Sequence, residues 1–139
     1  MIKFTRKDGM FLVGDNMCFG CSKENPMGLQ LDFHMEQDDM VTEFIPEEVH
    51  QSYDGVLHGG LAAVILDEVV GQHLVQLGSP GVTARMNVRF RNSIPVGKKV
   101  RFVSRFIKQR HRLYDMEAWA ELEDGKRAVE ASVQMMVTD

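Results

Sequence analysis

A chain of 139 residues with 44% apolar and 26% charged residues is about one domain long and removes roughly 68% of its unfolded surface from water on folding. Its formal net charge of -4 argues against nucleic acid binding through bulk charge, and two cysteines, Cys18 and Cys21, are too few for a disulfide framework. Asp67 and Glu68 interrupt the only apolar run near the ~20 residues that a bilayer requires, and Met10 to Val13 is too short for a secretory core, so the expectation is a cytoplasmic protein with no membrane partner.

No repeat, low-complexity tract or linker divides residues 1–139, which are expected to form one domain. Residues 1 to 27 read as irregular, and the turn-prone "SKENPMG" follows Cys21. "LQLDF" from Leu29 alternates apolar and polar residues like a half-buried strand, and "MVTEFIP" pairs back on it after an acidic turn at Asp38 and Asp39. The spacing then predicts one long helix over 59–77, opened by Gly59 and Gly60 and stopped by Gly78 and Pro80. It is apolar around most of its circumference, as a helix wrapped by other structure should be.

Everything after the helix reads as strand. Ala84, Met86, Val88 and Phe90 share one face of the first, with Arg85, Asn87, Arg89 and Arg91 on the other. Val100, Phe102 and Phe106 repeat the alternation, as do Tyr114 to Leu122 and Val129 to Val137, with "IPVGKK" and "EDGK" as turns. The expected class is α+β: an antiparallel sheet of five to six strands curled around one helix.

The chemistry centres on "GVLHGGLAAVILDEVV" at 55–70. A helix start offers unpaired N–H groups and a mildly positive dipole end, and glycines leave those donors uncovered. Gly59 and Gly60 can therefore stabilise a developing oxyanion, with His58 as a further donor or as a brace for the loop. The alternative is a small-residue start that lets the helix pack closely. Asp67 has Ala63, Val64, Val70 and Gly71 as its helical neighbours, and such a setting disfavours a charge unless a reaction uses it or a partner elsewhere satisfies it. Glu68 faces the wetter Gln72 side and ranks second, as a substrate contact. Gly60 and Asp67 are about 10 Å apart along a helix axis, too far to share one small carbonyl. Antiparallel helices in a two-fold dimer would bring the glycines of one chain to Asp67 of its partner.

These residues carry a resemblance. "HQSYDGVLHGGLAAVILDE" resembles the His-Gly-Gly to Asp signature of hotdog-fold acyl-CoA thioesterases of the phenylacetate-pathway type. "CFGCSKENPMGLQLDF" is similar to the opening of one branch of that group, and "RMNVRFRNSIPVGKKV" to the strand and turn after its helix. The resemblance implies a hotdog fold and hydrolysis of an acyl-CoA thioester. An amide of Gly59 or Gly60 would polarise the carbonyl, and Asp67 would serve as general base or nucleophile. Family members often carry an amide side chain six positions before the histidine; here Ser52 stands there with Gln51 beside it, and Gln51 is the first choice as polar helper because it can both donate and accept. A hydratase or dehydratase is the rival within the fold, although "ENPMG" lacks the histidine of that pattern. The other alternative is a non-catalytic acyl-CoA binding module.

Between Arg85 and Arg112 lie ten Lys or Arg and no Asp or Glu. If those strands are adjacent, they form a positive face for the phosphates of coenzyme A, with Arg85, Arg89 and Arg91 as candidate contacts, unless the charges serve only to keep a sheet edge solvated. No aromatic residues interleave that face for nucleic acid stacking, because Phe90, Phe102 and Phe106 alternate inward. Cys18 and Cys21 supply one Cys-x-x-Cys without a second ligand pair, so neither a metal nor a cofactor is expected. The ten methionines suit either a pliable acyl pocket or ordinary gap filling. The expected assembly is a homodimer or a dimer of dimers.

Overall fold

The computed structural model describes residues 17–137, together with the backbone of two short paired strands, β1 (Arg6–Lys7) and β2 (Met10–Phe11). That small hairpin lies where the sequence reads as irregular. The main body begins with β3 (His34–Glu36) and β4 (Asp39–Phe44), passes through a 3-10 turn at Glu48–His50, and enters α1 (Gly59–Gln76). Four long strands follow: β5 (Gly81–Phe90), β6 (Val100–Arg110), β7 (Leu113–Glu121) and β8 (Arg127–Val137). All six strands pair antiparallel in the order β3-β4-β6-β7-β8-β5.

The helix ends one residue short of the expected stop. Gly78 takes the left-handed φ of +81° that terminates it, with its N–H on the Val75 carbonyl at 3.0 Å and the Ser79 N–H on the Leu74 carbonyl at 2.9 Å. Five β-branched residues between Val64 and Val75 each cost a few tenths of a kcal/mol of helix propensity. Ile65, Leu66, Val69, Val70 and Leu74 are wholly buried against Phe102, Met116, Val129 and Met135. Each such burial contributes roughly 1.5–3 kcal/mol, so packing and not propensity decides the helix.

"LQLDF" is not a ladder strand. The Leu29 and Leu31 N–H groups go to the Phe19 and Gly20 carbonyls at 2.8 and 2.9 Å, so the Cys18–Ser22 loop captures the donors that a strand would use, and pairing starts only at His34. The two-fold alternation of β5 is also broken. Thr83 lies opposite Met135 and Arg85 opposite Gln134, so Ala84 is an extra residue and Thr83 turns to the helix side of the sheet. On the outer face, Val41, Val103 and Trp119 form a second small cluster, with the Arg127 and Arg105 guanidiniums 4.1 and 4.9 Å from the indole centre.

His73 is the buried ionisable group of α1. Its Nδ1 shares a 2.9 Å hydrogen bond with Ser104 Oγ, and its Nε2 has no hydrogen-bond partner among the described residues. Burial pushes the ring below the ordinary histidine range, opposed only in part by the Asp38 backbone and the Asp39 charge. The unfolded ring takes up a proton near pH ~6.5 while the folded ring stays neutral, so the unfolded chain binds more protons on acidification. Urea denaturation should therefore show stability falling as the pH drops from about 7 to about 5, and His73→Asn should flatten that slope. An unchanged slope would assign the acid sensitivity elsewhere.

Candidate active site

The first turn of α1 is built by its own cap. The His58 Nδ1 accepts the Gly60 N–H at 2.9 Å, and the His58 carbonyl accepts the Leu61 and Ala62 N–H groups at 3.0 and 3.1 Å. That leaves the Gly59 N–H as the first-turn amide with no acceptor among the described residues. His58 thus orients the turn, and Gly59 rather than Gly60 presents the open donor.

Gly59 opens onto a cleft of about 300 Å³ lined also by Ser52, Phe90, Arg91, Asn92 and Val129. A Cβ on Gly59 would lie 3.3 Å from the Phe90 ring, so the absent side chain leaves room for that aromatic beside the first turn. Of the two candidate polar helpers, Ser52 lines the cleft. Gln51 is occupied locally, with its Oε1 accepting the Gly55 N–H at 3.1 Å and its Nε2 donating to Asp54 at 3.5 Å. A larger cleft of about 730 Å³ lies on the outer sheet face beside Arg85, Asn87 and Glu117, and includes neither Gly59 nor Asp67.

Asp67 is half-buried in the middle of α1, and the inward-turned Thr83 hydroxyl donates to its Oδ1. Sequence alternation concealed this partner, because it places Thr83 on the arginine face. A bulge is a recurrent way to re-aim a side chain, and here it brings the Thr83 hydroxyl to one carboxylate oxygen, with no hydrogen bond to Oδ2 among the described residues. Gly59 and Asp67 are eight residues apart, about 12 Å along the axis. Glu68, one step round the helix, points instead to the Cys18–Ser22 loop: its Oε1 is 3.5 Å from the Cys18 Sγ and 3.4 Å from the Gln72 amide. Burial pushes the Cys21 thiol up, and hydrogen bonding to Cys18 and Glu68 adds to the shift.

The expected continuous basic face is corrected by the strand order. β7 and β8 separate β5 from β6, and acids on β3, β4, β7 and β8 neutralise much of the charge. Arg105 pairs with Asp39 at 2.8 Å, Arg110 with Asp115 at 3.4 Å and Arg91 with Glu130 at 2.9 Å. Arg101 makes two contacts with Glu36, whose carboxyl the Arg101 guanidinium and then His34 hold down to about 2. Arg85 and Arg89 are exposed on β5 and make no ion pair among the described residues, while Arg91 reaches the Gly59 cleft. No helix among the described residues is long and apolar enough to cross a membrane.

Comparison with known proteins agrees with this architecture. The family profile described as thioesterase superfamily matches residues 54–129. Acyl-coenzyme A thioesterase 13 of Mus musculus is 31% identical over 72 residues, covering 50% of this chain and 51% of that protein, and the Homo sapiens protein matches to the same extent. The chain thus spans about half the length of the curated relatives it matches. A solved thioesterase superfamily protein superposes with a TM-score of 0.80 at 19% identity, covering 84% of this chain and 61% of its own. A hypothetical thioesterase of Streptococcus pneumoniae with coenzyme A gives 0.73 at 19% identity, with 78% and 88% covered. A Streptococcus mutans protein bound to acetyl-CoA gives 0.72 at 17% identity, with the same coverage. One long helix against a six-stranded antiparallel sheet, shared with these hotdog-fold structures, and a profile match spanning more than half of the sequence place the chain in the thioesterase superfamily.

Proposed function

We propose that two copies of this chain hydrolyse an acyl-CoA thioester, each reaction centre taking its oxyanion donor from Gly59 of one copy and its carboxylate from Asp67 of the other. The observation that carries this reading is the Gly59 N–H, which has no acceptor among the described residues and belongs to a residue lining a cleft, while every other first-turn amide is occupied. The thioester carbonyl oxygen sits at that amide. Asp67 removes a proton from water as its oxygen bonds to the carbonyl carbon, and the same proton passes to sulfur as the C–S bond breaks, giving acid and free CoA thiol. Direct attack by Asp67 through an anhydride is the variant route, and single turnover in oxygen-18 water marks the Asp67 carboxylate only in that case. Arg85, Arg89 and Arg91 are the cations available to the phosphates of CoA, and Ser52 is the polar helper that faces the cleft.

A second copy is called for by three features. β5 is ten residues long and among the described residues pairs only with β8, leaving a row of backbone donors and acceptors at the sheet edge. The helix face carrying Ala63, Val64, Asp67 and Gly71 is half-exposed. Val49 and Tyr53, near the helix start, are 83% and 84% exposed. A homodimer covers these surfaces, and a dimer of dimers is compatible with them. The motif likeness to the phenylacetate-pathway type adds aryl-acyl thioesters to the substrates to be tried.

The test is free-thiol release from a panel of aliphatic and aryl-acyl CoAs, followed by subunit mixing. Neither Asp67→Asn nor Gly59→Pro alone should turn over appreciably. Statistical mixing of the two should restore about a quarter of wild-type activity, because half the dimers are mixed and each has one intact centre of two. Mixing without recovery sinks the shared site. Hydration of an enoyl-CoA without thiol release, or tight acyl-CoA binding with neither reaction, sinks the hydrolase.

A further inference from the structure

Outside the Gly59 cleft, the densest cluster of metal-ligating side chains among the described residues is Cys18, Cys21 and Glu68, whose ligand atoms all lie within 4.8 Å of one another. Two cysteines alone do not make a metal site. The fold adds a third donor that is 50 positions from Cys18 in sequence.

The loop is shaped for convergence. The Ser22 N–H closes on the Cys18 carbonyl at 3.1 Å, which folds the Cys-x-x-Cys into a single turn, and the Phe19 and Gly20 carbonyls are tied to Leu29 and Leu31. Glu68 reaches this turn from α1 through the space where Gly20 lacks a side chain: a Cβ there would lie 2.6 Å from the carboxyl carbon. Both cysteines are thiols, Cys21 is buried, and Glu68 is half-buried. The Gln72 amide engages Glu68 Oε1 at 3.4 Å and steadies the carboxylate.

We propose that Cys18, Cys21 and Glu68 bind one divalent zinc ion, clamping the 17–22 loop to α1. Zinc bonds of about 2.3 Å to sulfur and about 2.1 Å to oxygen at a tetrahedral angle place those two atoms about 3.6 Å apart. The Cys18 Sγ to Glu68 Oε1 separation is 3.5 Å. Two sulfur donors select zinc over magnesium or calcium, and the half-exposed side of the cluster leaves a fourth position for water. Binding exchanges the two thiol protons for the metal, so the loaded site holds two thiolates and one carboxylate.

The experiment is an anaerobic cobalt(II) titration of the full chain, reduced and stripped with chelator, with circular dichroism recorded on every sample. One equivalent should produce a thiolate-to-cobalt charge-transfer band and tetrahedral ligand-field bands, and zinc should bleach both. Cys18→Ser with Cys21→Ser should abolish the band, and Glu68→Gln should weaken cobalt binding by about tenfold or more. If the double variant does not fold, the wild-type titration and Glu68→Gln decide the matter. A folded chain that gives no band overturns the site. So does a chain purified in air with both thiols lost to a disulfide whose reduction restores no cobalt binding.

Discussion

Asp67→Asn should lower kcat for acyl-CoA hydrolysis by at least about 100-fold, the lower end of what a positioned general base contributes. The substitution is nearly isosteric, and its amide oxygen can still accept from the Thr83 hydroxyl that now donates to Asp67 Oδ1. The side chain is half-buried and outside the wholly buried stripe of Ile65, Leu66, Val69 and Val70, so the melting temperature should stay close to wild type. KM should move little, because a base acts on the transition state and not on the bound thioester. Steady-state thiol release with the melting temperature measured in parallel tests this. A folded variant within threefold of wild-type kcat would remove Asp67 from the chemistry.

What the sequence disclosed depended on how local each signal was. Gly78 and Pro80 bracket the end of α1 from within a few residues, and β6, β7 and β8 keep their period-two patterns over most of their length, interrupted only by register shifts at Ile107 and Ala128, so the helix and most strands were legible. Thr83 was not, because one inserted residue at Ala84 reverses the face of everything before it, and nothing in the composition of "GVTARM" marks a bulge. The basic stretch misled for a different reason. Contiguity in sequence says nothing about which strands are neighbours, and the insertion of β7 and β8 between β5 and β6 supplies Asp115 and Glu130 as partners. The helper residue shows the same limit on a smaller scale: Gln51 has the more versatile side chain, but the turn at Gly55 consumes it and leaves Ser52 at the cleft. The convergence of Glu68 on Cys18 and Cys21 is a tertiary contact between segments 50 positions apart, with no local signature to read.

Gly59→Pro should reduce kcat by about 100- to 1,000-fold, while Gly59→Ala should stay within about tenfold of wild type, because only proline deletes the oxyanion donor. The helix should accept the imino ring. Position 59 is the first helical residue, where proline is favoured, and His58 has φ -57° and ψ 128°, which suits a residue preceding proline. Both variants place a Cβ about 3.3 Å from the Phe90 ring, so steric effects on the cleft are matched between them, and Phe90 is 57% exposed and free to give way. No neighbouring amide can take over. The Gly60 N–H is held by His58 Nδ1, and those of Leu61 and Ala62 are held by the His58 carbonyl. The loss should fall on kcat more than on KM, since the donor meets negative charge only as the thioester is attacked. Equal kcat for the two variants would show that the reacting oxygen never meets this amide, and the oxyanion site would then have to be sought elsewhere in the molecule.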